Sequence, residues 1–128
     1  MEKAPILFNE FRKLNIDVDS ASENFNGDKS LYIYTMFRIN HLLPIAEANQ
    51  ALDDNDFMGF SVYIERIMAD AKMLGLTEIT NTCSIIQVEI QSQRLQQKSK
   101  LKGSLKKQLL HVEKINFAIN KILGGIAL

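Results

Sequence analysis

The side chains best suited to chemistry in this chain are two histidines and one cysteine, His41, His111 and Cys83. A helical metal site would need a second His, Cys or carboxylate three or four residues away, and neither histidine has one. We therefore predict that both histidines are partly buried packing or hydrogen-bonding residues. Cys83 falls on an apolar helix stripe, which predicts a small core residue rather than a nucleophile.

A second group of candidate residues is acidic: Asp53, Asp54 and Asp56 cluster just before a helical pattern. Negative charge at a helix start is favoured by the free amide hydrogens of the first turn, so capping explains this cluster without catalysis. The sequence has neither a GxxxxGKS/T nor a GxGxxG motif, so no nucleotide-phosphate site is expected. These observations predict a protein that is not an enzyme and needs no metal or cofactor.

Length and composition predict one packed domain spanning residues 1–128, of which 46% are hydrophobic and 23% charged. A single cysteine cannot form an internal disulfide, which suits a reducing compartment. No apolar run approaches the roughly 18 to 20 residues that span a bilayer. Glu10 lies where a signal peptide would be apolar. We therefore expect a cytoplasmic protein rather than a secreted or membrane-inserted one.

The fifteen basic and fifteen acidic residues balance but are segregated along the chain. Residues 1–93 carry a net charge of −7, and residues 94–128 carry +7. We interpret the basic segment as a solvated face or one that meets the acidic half of its own domain. Nucleic-acid binding is the alternative, and it predicts affinity that weakens steeply with salt. It is disfavoured because the segment lacks the repeated aromatic residues of single-strand binders.

Apolar residues recur three and four apart through most of the chain, which is typical of amphipathic helices. A helix over 56–74 is predicted to begin at the capping residue Asp56 and to end at Gly75. Its core stripe is Phe57, Phe60, Ile64, Ile67, Ala71 and Leu74. A second helix is predicted from Thr77 toward Lys100, with a core stripe of Ile79, Cys83, Ile86 and Ile90.

Further helices are predicted on both sides of this pair. Gly103 and Ser104 predict a helix end and a new cap, followed by a helix to Gly124 and Gly125. That last helix has the core stripe Leu105, Leu109, Val112, Ile115, Ile119 and Ile122. In the first half we predict a short helix over 5–14, another over 18–25 capped by Asp17, and a turn at Asn26 and Gly27. A long helix should then run from Asp28 to Leu52 with a kink at Pro44.

No strand pattern competes with these helices, and short connections force neighbouring helices to run antiparallel. The predicted fold is therefore all-α: an up-and-down antiparallel four-helix bundle with one or two short N-terminal helices.

The order of these signals resembles the histidine-containing phosphotransfer (HPt) domain family over about residues 14–95. The resemblance begins in the stretch NIDVDSASENFNGDKSLYIYTMFRI, residues 15–39. It continues through Pro44, the loop ALDDNDF, the helix ending in MLG and the helix over 77–95. It implies the HPt-like bundle and a role in phosphorelay signal transduction.

The family carries its phosphoacceptor histidine in a motif of the form HxLKGSxxxxG. Aligning the last glycine with Gly75 places Glu65 at the histidine position, and Ile67 keeps the apolar residue of the motif. The lysine, glycine and serine are replaced by Met68, Ala69 and Asp70. The resemblance is thus to a degenerate member of the family, one without its acceptor.

The resemblance also implies a partner: in the family, a receiver domain binds the helix surface around the acceptor. The equivalent stripe in this chain consists of Met58, Val62, Glu65, Met68, Ala69 and Lys72. Our hypothesis is a non-catalytic pseudo-HPt adaptor of two-component signalling that binds a response-regulator receiver or a histidine kinase without accepting phosphate. One alternative is an active phosphotransfer protein that uses His41 or His111. Another is that the stripe packs against a neighbouring helix or is merely exposed. The methionines, including Met36, Met58, Met68 and Met73, fall at core or near-core helical positions and are predicted to fill the core rather than to form a recognition surface.

Overall fold

Helices supply the regular structure of this protein. The structure, a computed structural model, describes residues 3–92 and 98–124, and within these ranges it contains no β-strand. The helices are α1 Ala4–Lys13, α2 Val18–Asn24, α3 Lys29–Phe37, α4 Ile39–Leu42, α5 Ile45–Asp53, α6 Phe57–Met73, α7 Thr77–Gln91 and α8 Lys98–Leu123. The predicted all-α class is confirmed, and the short helix predicted over 5–14 is α1.

Three aspartates begin helices as predicted. The side chains of Asp17, Asp28 and Asp56 accept hydrogen bonds from backbone amides three residues on, at 3.2, 3.0 and 2.9 Å. Each carboxylate satisfies an amide hydrogen that has no partner within the first helical turn. The loops before two of these caps contain Asn26 and Asn55 with φ of 55° and 56°, a left-handed conformation that asparagine tolerates better than most residues.

The long helix predicted from Asp28 to Leu52 is instead three helices. The second break lies where Pro44 was predicted to cause a kink: Leu43 is extended, with ψ of 113°, because a residue before proline is disfavoured in the α region. The first break lies at Arg38, where ψ is 11°. No glycine, proline or asparagine marks that position, so the sequence pattern gave no sign of it.

The turn between α6 and α7 joins the N-terminal third of the chain to the rest. Gly75 has φ of +73°, and a Cβ placed on it would lie 2.3 Å from the carbonyl oxygen of Asp17, so only glycine fits here. The Asp17 amide donates to the Gly75 carbonyl at 2.8 Å. The Tyr32 hydroxyl, in a fully buried side chain, donates to the Leu74 carbonyl at 2.9 Å.

The second half of the chain departs from prediction at two places. α7 ends at Gln91 rather than continuing toward Lys100; part of that predicted extension, residues 93–97, lies outside the described residues. α8 runs unbroken through Gly103, where a helix end was predicted. The reason is the core: Leu101 and Leu105, on either side of Gly103, are both buried on one stripe, and a continuous helix keeps them there. α8 ends at Leu123, next to the predicted Gly124.

One apolar cluster draws on all eight helices of the described ranges: α4 buries Ile39 in it, and each of the others buries two or more side chains. α6 packs against α5 and α7, and α8 packs against α1, α3, α5 and α7. Phe8, Phe11, Phe25 and Tyr32 form an aromatic group with ring centroids 5.5 to 6.4 Å apart. The predicted α6 stripe is buried except for Phe57, which is 43% exposed at the first turn. No helix in the described ranges has the length and apolarity to cross a membrane.

Candidate functional site

The side of α6 opposite its core stripe carries the residues that the resemblance identifies as a partner face. Met58 is 83% exposed and Val62 is 59% exposed, and Glu65, Ala69 and Lys72 are exposed as well. Their spacing of three and four residues keeps them on one side of the helix. We call these five residues the α6 outer face.

Met68 does not belong to this face. Its side chain is half-buried and packs against the apolar core, so its assignment to the partner-binding stripe is wrong. The two other methionines of α6 were predicted at core or near-core positions, and both are exposed: Met58, and Met73 at 42%. Periodicity alone did not separate the edge of the core stripe from the outer side, because Met68 lies one turn from the core residues Ile64 and Ala71 and equally one turn from Glu65 and Lys72.

Glu65 lies at the centre of the α6 outer face. Its carboxylate is exposed, and among the described residues it makes no ion pair and no side-chain hydrogen bond. Asp70, at the position of the motif serine, is half-buried on the same helix. The position aligned with the family's acceptor is therefore accessible to a partner and carries a negative charge.

α7 adds exposed apolar side chains that the sequence analysis missed. Ile85 is 63% exposed and Val88 is 62% exposed. α6 and α7 are joined by a tight turn centred on Gly75, so residues equally far from it lie at the same height of the hairpin. Val62 is level with Val88, and Glu65 is level with Ile85. The apolar surface of this hairpin is larger than one helix alone provides.

The two histidines differ in their surroundings. His111 is 6% exposed, with Nδ1 3.5 Å from the Glu78 carboxylate, whereas Nε2 is buried and has no hydrogen-bond partner. Burial lowers the pKa of the His111 imidazole, Glu78 opposes that shift, and Lys114 adds to it. The predicted packing role is confirmed for His111. Its partner was missed because Glu78 lies on another helix, far away in sequence.

His41 is exposed, so the prediction of a partly buried residue is wrong here. It follows the break at Arg38 and lies on the short helix α4, where few side chains cover it. It lines a shallow groove of about 540 Å³ with Tyr34, Arg38 and two asparagines of α8, Asn116 and Asn120. None of the residues of the α6 outer face lines this groove.

The remaining candidates have structural roles. Cys83 is buried, and burial raises the pKa of its thiol to about 11, so the thiolate nucleophile is absent at neutral pH. Asp56 caps α6, Asp54 accepts a hydrogen bond from the Gln50 amide at 3.1 Å, and Asp53 pairs with Lys102. Within residues 3–92 and 98–124, no group of three or more His, Cys, Asp or Glu side chains is arranged to hold a metal ion.

The Asp53–Lys102 pair shows part of the basic segment meeting the acidic half of the chain, as we predicted. Lys98 likewise donates to the Asn55 side chain at 3.1 Å. These contacts lie near the beginning of α8.

Comparisons of the chain with protein-family models, with curated proteins and with solved structures found no match.

Proposed function

We propose that this protein is a non-catalytic, HPt-like adaptor of two-component signalling that binds a receiver or histidine-kinase domain without accepting phosphate. The observation that carries the proposal is the exposed Glu65, at the position that aligns with the family's acceptor histidine, within an accessible partly apolar face. The protein acts through binding alone, by occupying the docking surface of its partner.

The packing of the helices supports an HPt-like four-helix arrangement. α5 packs against α6, α6 against α7, α7 against α8, and α8 returns to α5. The three helices α3, α4 and α5 then count as one interrupted member of an up-and-down bundle, with α1 and α2 beside it. This arrangement places α6 at the surface along its outer face.

The chemistry at position 65 explains why no phosphate is relayed. Phosphotransfer from a receiver aspartate needs an exposed imidazole nitrogen as nucleophile. A glutamate offers a carboxylate whose phosphorylated form is an acyl phosphate, which hydrolyses in water. The motif lysine, a cation that would stabilise phosphoryl charge, is replaced by the half-buried thioether of Met68.

Loss of the acceptor histidine leaves partner binding intact, because docking depends on the exposed surface around position 65 rather than on the acceptor itself. Met58, Val62 and Val88 offer exposed apolar area, and Glu65 and Lys72 are exposed charged residues of the same α6 outer face as Met58 and Val62. Protein interfaces commonly combine such an apolar centre with a polar rim. Ala69, one turn after Glu65, leaves room for close approach of a partner.

The proposal is tested with receiver domains encoded in the same genome. Each is phosphorylated, mixed with the purified protein, and followed by radiolabel transfer beside a receiver-free control, while binding is measured by calorimetry. We expect at least one receiver or kinase domain to bind and no acid-labile phosphohistidine to form. Transfer of label to a histidine of this chain, or absence of binding throughout, would contradict the proposal.

A matched pair of variants locates the interface. Val62→Asp puts a charge into the α6 outer face, and Ile6→Asp puts one at a similarly exposed apolar position on α1, whose main packing partners are α8, α2 and α3. Burying an unpaired charge at an interface costs several kcal/mol, so we expect Val62→Asp to weaken binding at least about tenfold. Ile6→Asp should leave the affinity within about twofold of wild type.

A second candidate function is phosphotransfer through a displaced histidine, and the exposure of His41 favours that residue over the buried His111. Arg38 lines the same groove and would supply a cation beside the ring. His41→Gln and His111→Gln variants separate the two functions in the same transfer assay. Label that disappears only in His41→Gln would establish this second candidate.

A further inference from the structure

A second surface, separate from the α6 outer face, is formed by α1, the beginning of α7 and the second half of α8. These helices enclose an open groove of about 690 Å³, and no α6 residue lines it. Leu14, Ala118, Leu110 and Phe117 supply its apolar lining, the last two being 49% and 69% exposed. Large apolar side chains exposed within a concave surface commonly mark a binding site.

Four lysines within α8 recur one heptad apart: Lys100, Lys107, Lys114 and Lys121. We call them the lysine ladder. Because seven residues are close to two helical turns, all four lie along nearly one line of the helix, and all four are exposed. Among the described residues none of them makes an ion pair, in contrast to Lys102 on another side of the same helix.

The lysine ladder and the apolar side chains of α8 alternate along one side of the helix. Leu110 and Phe117 alternate with Lys107, Lys114 and Lys121 at steps of three and four residues, and all five line the groove. The pattern is that of a heptad seam in which one position is apolar and the other basic. From Lys107 to Lys121 the seam extends about 21 Å at 1.5 Å per residue, the length of four helical turns.

We propose that this groove binds an acidic amphipathic helix of a partner protein. Apolar side chains of that helix would pack on Leu110 and Phe117, and its carboxylates, one heptad apart, would pair with the lysine ladder. This is helix-in-groove recognition with the charge pattern setting register and orientation. The inference does not depend on the proposed function, because it concerns a different face.

Other occupants fit the surface less well. A symmetric contact with a second copy through α8 would bring one lysine ladder close to another of the same sign. A bilayer is flat, whereas this groove is recessed between α1 and α8. Nucleic acid offers a phosphate backbone with nothing aliphatic to cover Leu14 and Leu110.

The test uses a synthetic peptide of three heptads with leucine at the a and d positions and glutamate at e and g. The same peptide with lysine in place of glutamate serves as control ligand. NMR spectra of isotopically labelled protein report which residues shift, and fluorescence anisotropy gives the affinity. We expect the acidic peptide to bind with shifts centred on Leu110, His111 and Phe117, and the basic peptide to bind at least about tenfold more weakly.

Matched charge reversals on α8 supply the decisive comparison. Lys114→Glu alters the lysine ladder inside the groove, and Lys106→Glu alters an exposed lysine that lies outside it. We expect the first to weaken peptide binding about tenfold or more and the second by less than about twofold. Circular dichroism confirms that each variant keeps its helix content.

Three outcomes would overturn the proposal. One is equal loss of affinity in Lys114→Glu and Lys106→Glu, which would indicate attraction by net charge alone. Another is absence of binding at millimolar peptide. The third is tighter binding, through the same residues, of vesicles containing one quarter phosphatidylserine or of a single-stranded oligonucleotide.

Discussion

At the scale of single residues, the His111 imidazole links protonation to folding. It is buried beside Glu78, and burial is the largest cause of its lowered pKa. In the unfolded chain the same ring takes up its proton near the ordinary value of about 6.5. Between the lowered folded pKa and that value, the unfolded state binds more protons than the folded state.

We therefore expect the free energy of unfolding to fall as pH drops below about 6.5, because protonation favours the unfolded chain in that window. Above about pH 6.5 the His111 ring is neutral in both states, so the free energy of unfolding no longer changes through this group. Urea titrations at a series of pH values from neutral to mildly acidic measure the slope. His111→Gln should remove this part of the slope, and His41→Gln, which changes the exposed histidine, should retain it. A slope unchanged in His111→Gln would contradict the assignment.

Residue types alone predicted some of these roles and not others. The three capping aspartates were predictable, because an Asx residue before an apolar periodic run has a local physical cause. The Glu78–His111 contact was not, since it depends on how α7 packs against α8. The exposure of His41 likewise depends on the break at Arg38, which no local preference marks.

At the scale of elements, the two glycines Gly75 and Gly103 have opposite roles despite similar local sequence signals. Both were predicted as helix ends, and only Gly75 has the positive φ that favours glycine. Gly103 lies within α8, and a Cβ there would meet no atom within 4 Å. The sequence predicted the first because the apolar stripe of α6 ends at Leu74, and misjudged the second because the long-range burial of Leu101 favours a continuous helix.

This contrast predicts opposite effects of one substitution. Gly103→Ala should raise the free energy of unfolding by about 0.5–1 kcal/mol, since alanine loses less backbone entropy in a helix. Gly75→Ala should lower it by more than about 2 kcal/mol, because a left-handed alanine is strained and its Cβ would collide with the Asp17 carbonyl. Chemical denaturation of both variants beside wild type measures the two signs. Destabilisation by Gly103→Ala would show that the helix is interrupted there.

At the scale of the whole molecule, the apolar cluster joins helices from both ends of the chain. Phe11 on α1, Ile64 on α6 and Ile115 on α8 all belong to it. Periodicity predicted the all-α class from the sequence. Which side of each helix faces the core became clear only from how the helices pack. Periodicity predicted core or near-core positions for both Met58 and Met68, whereas in the packed structure Met58 is 83% exposed and Met68 is half-buried.

A single shared core predicts unfolding in one cooperative step. Phe11→Ala removes a fully buried ring and should lower the free energy of unfolding by about 3–5 kcal/mol. In a single cooperative step, this loss in free energy is the same whether unfolding is followed by far-UV circular dichroism or by tyrosine signals. The tyrosines make this a test, because Tyr32 lies on α3 and Tyr63 on α6. Transitions that separate in the variant would show that α1 and its neighbours form an independent unit.

The hydrogen bonds at the α6–α7 turn have a consequence for synthesis on the ribosome. Asp17, Asn24 and Tyr32 all bond to backbone carbonyls of residues 73–75, which are translated roughly fifty residues later. At about 5–20 residues per second, the nascent N-terminal helices wait roughly 3–10 seconds for those acceptors, with Phe8, Phe11 and Tyr32 uncovered meanwhile. Chaperones that recognise aromatic segments would therefore meet this chain early, before its hairpin leaves the exit tunnel.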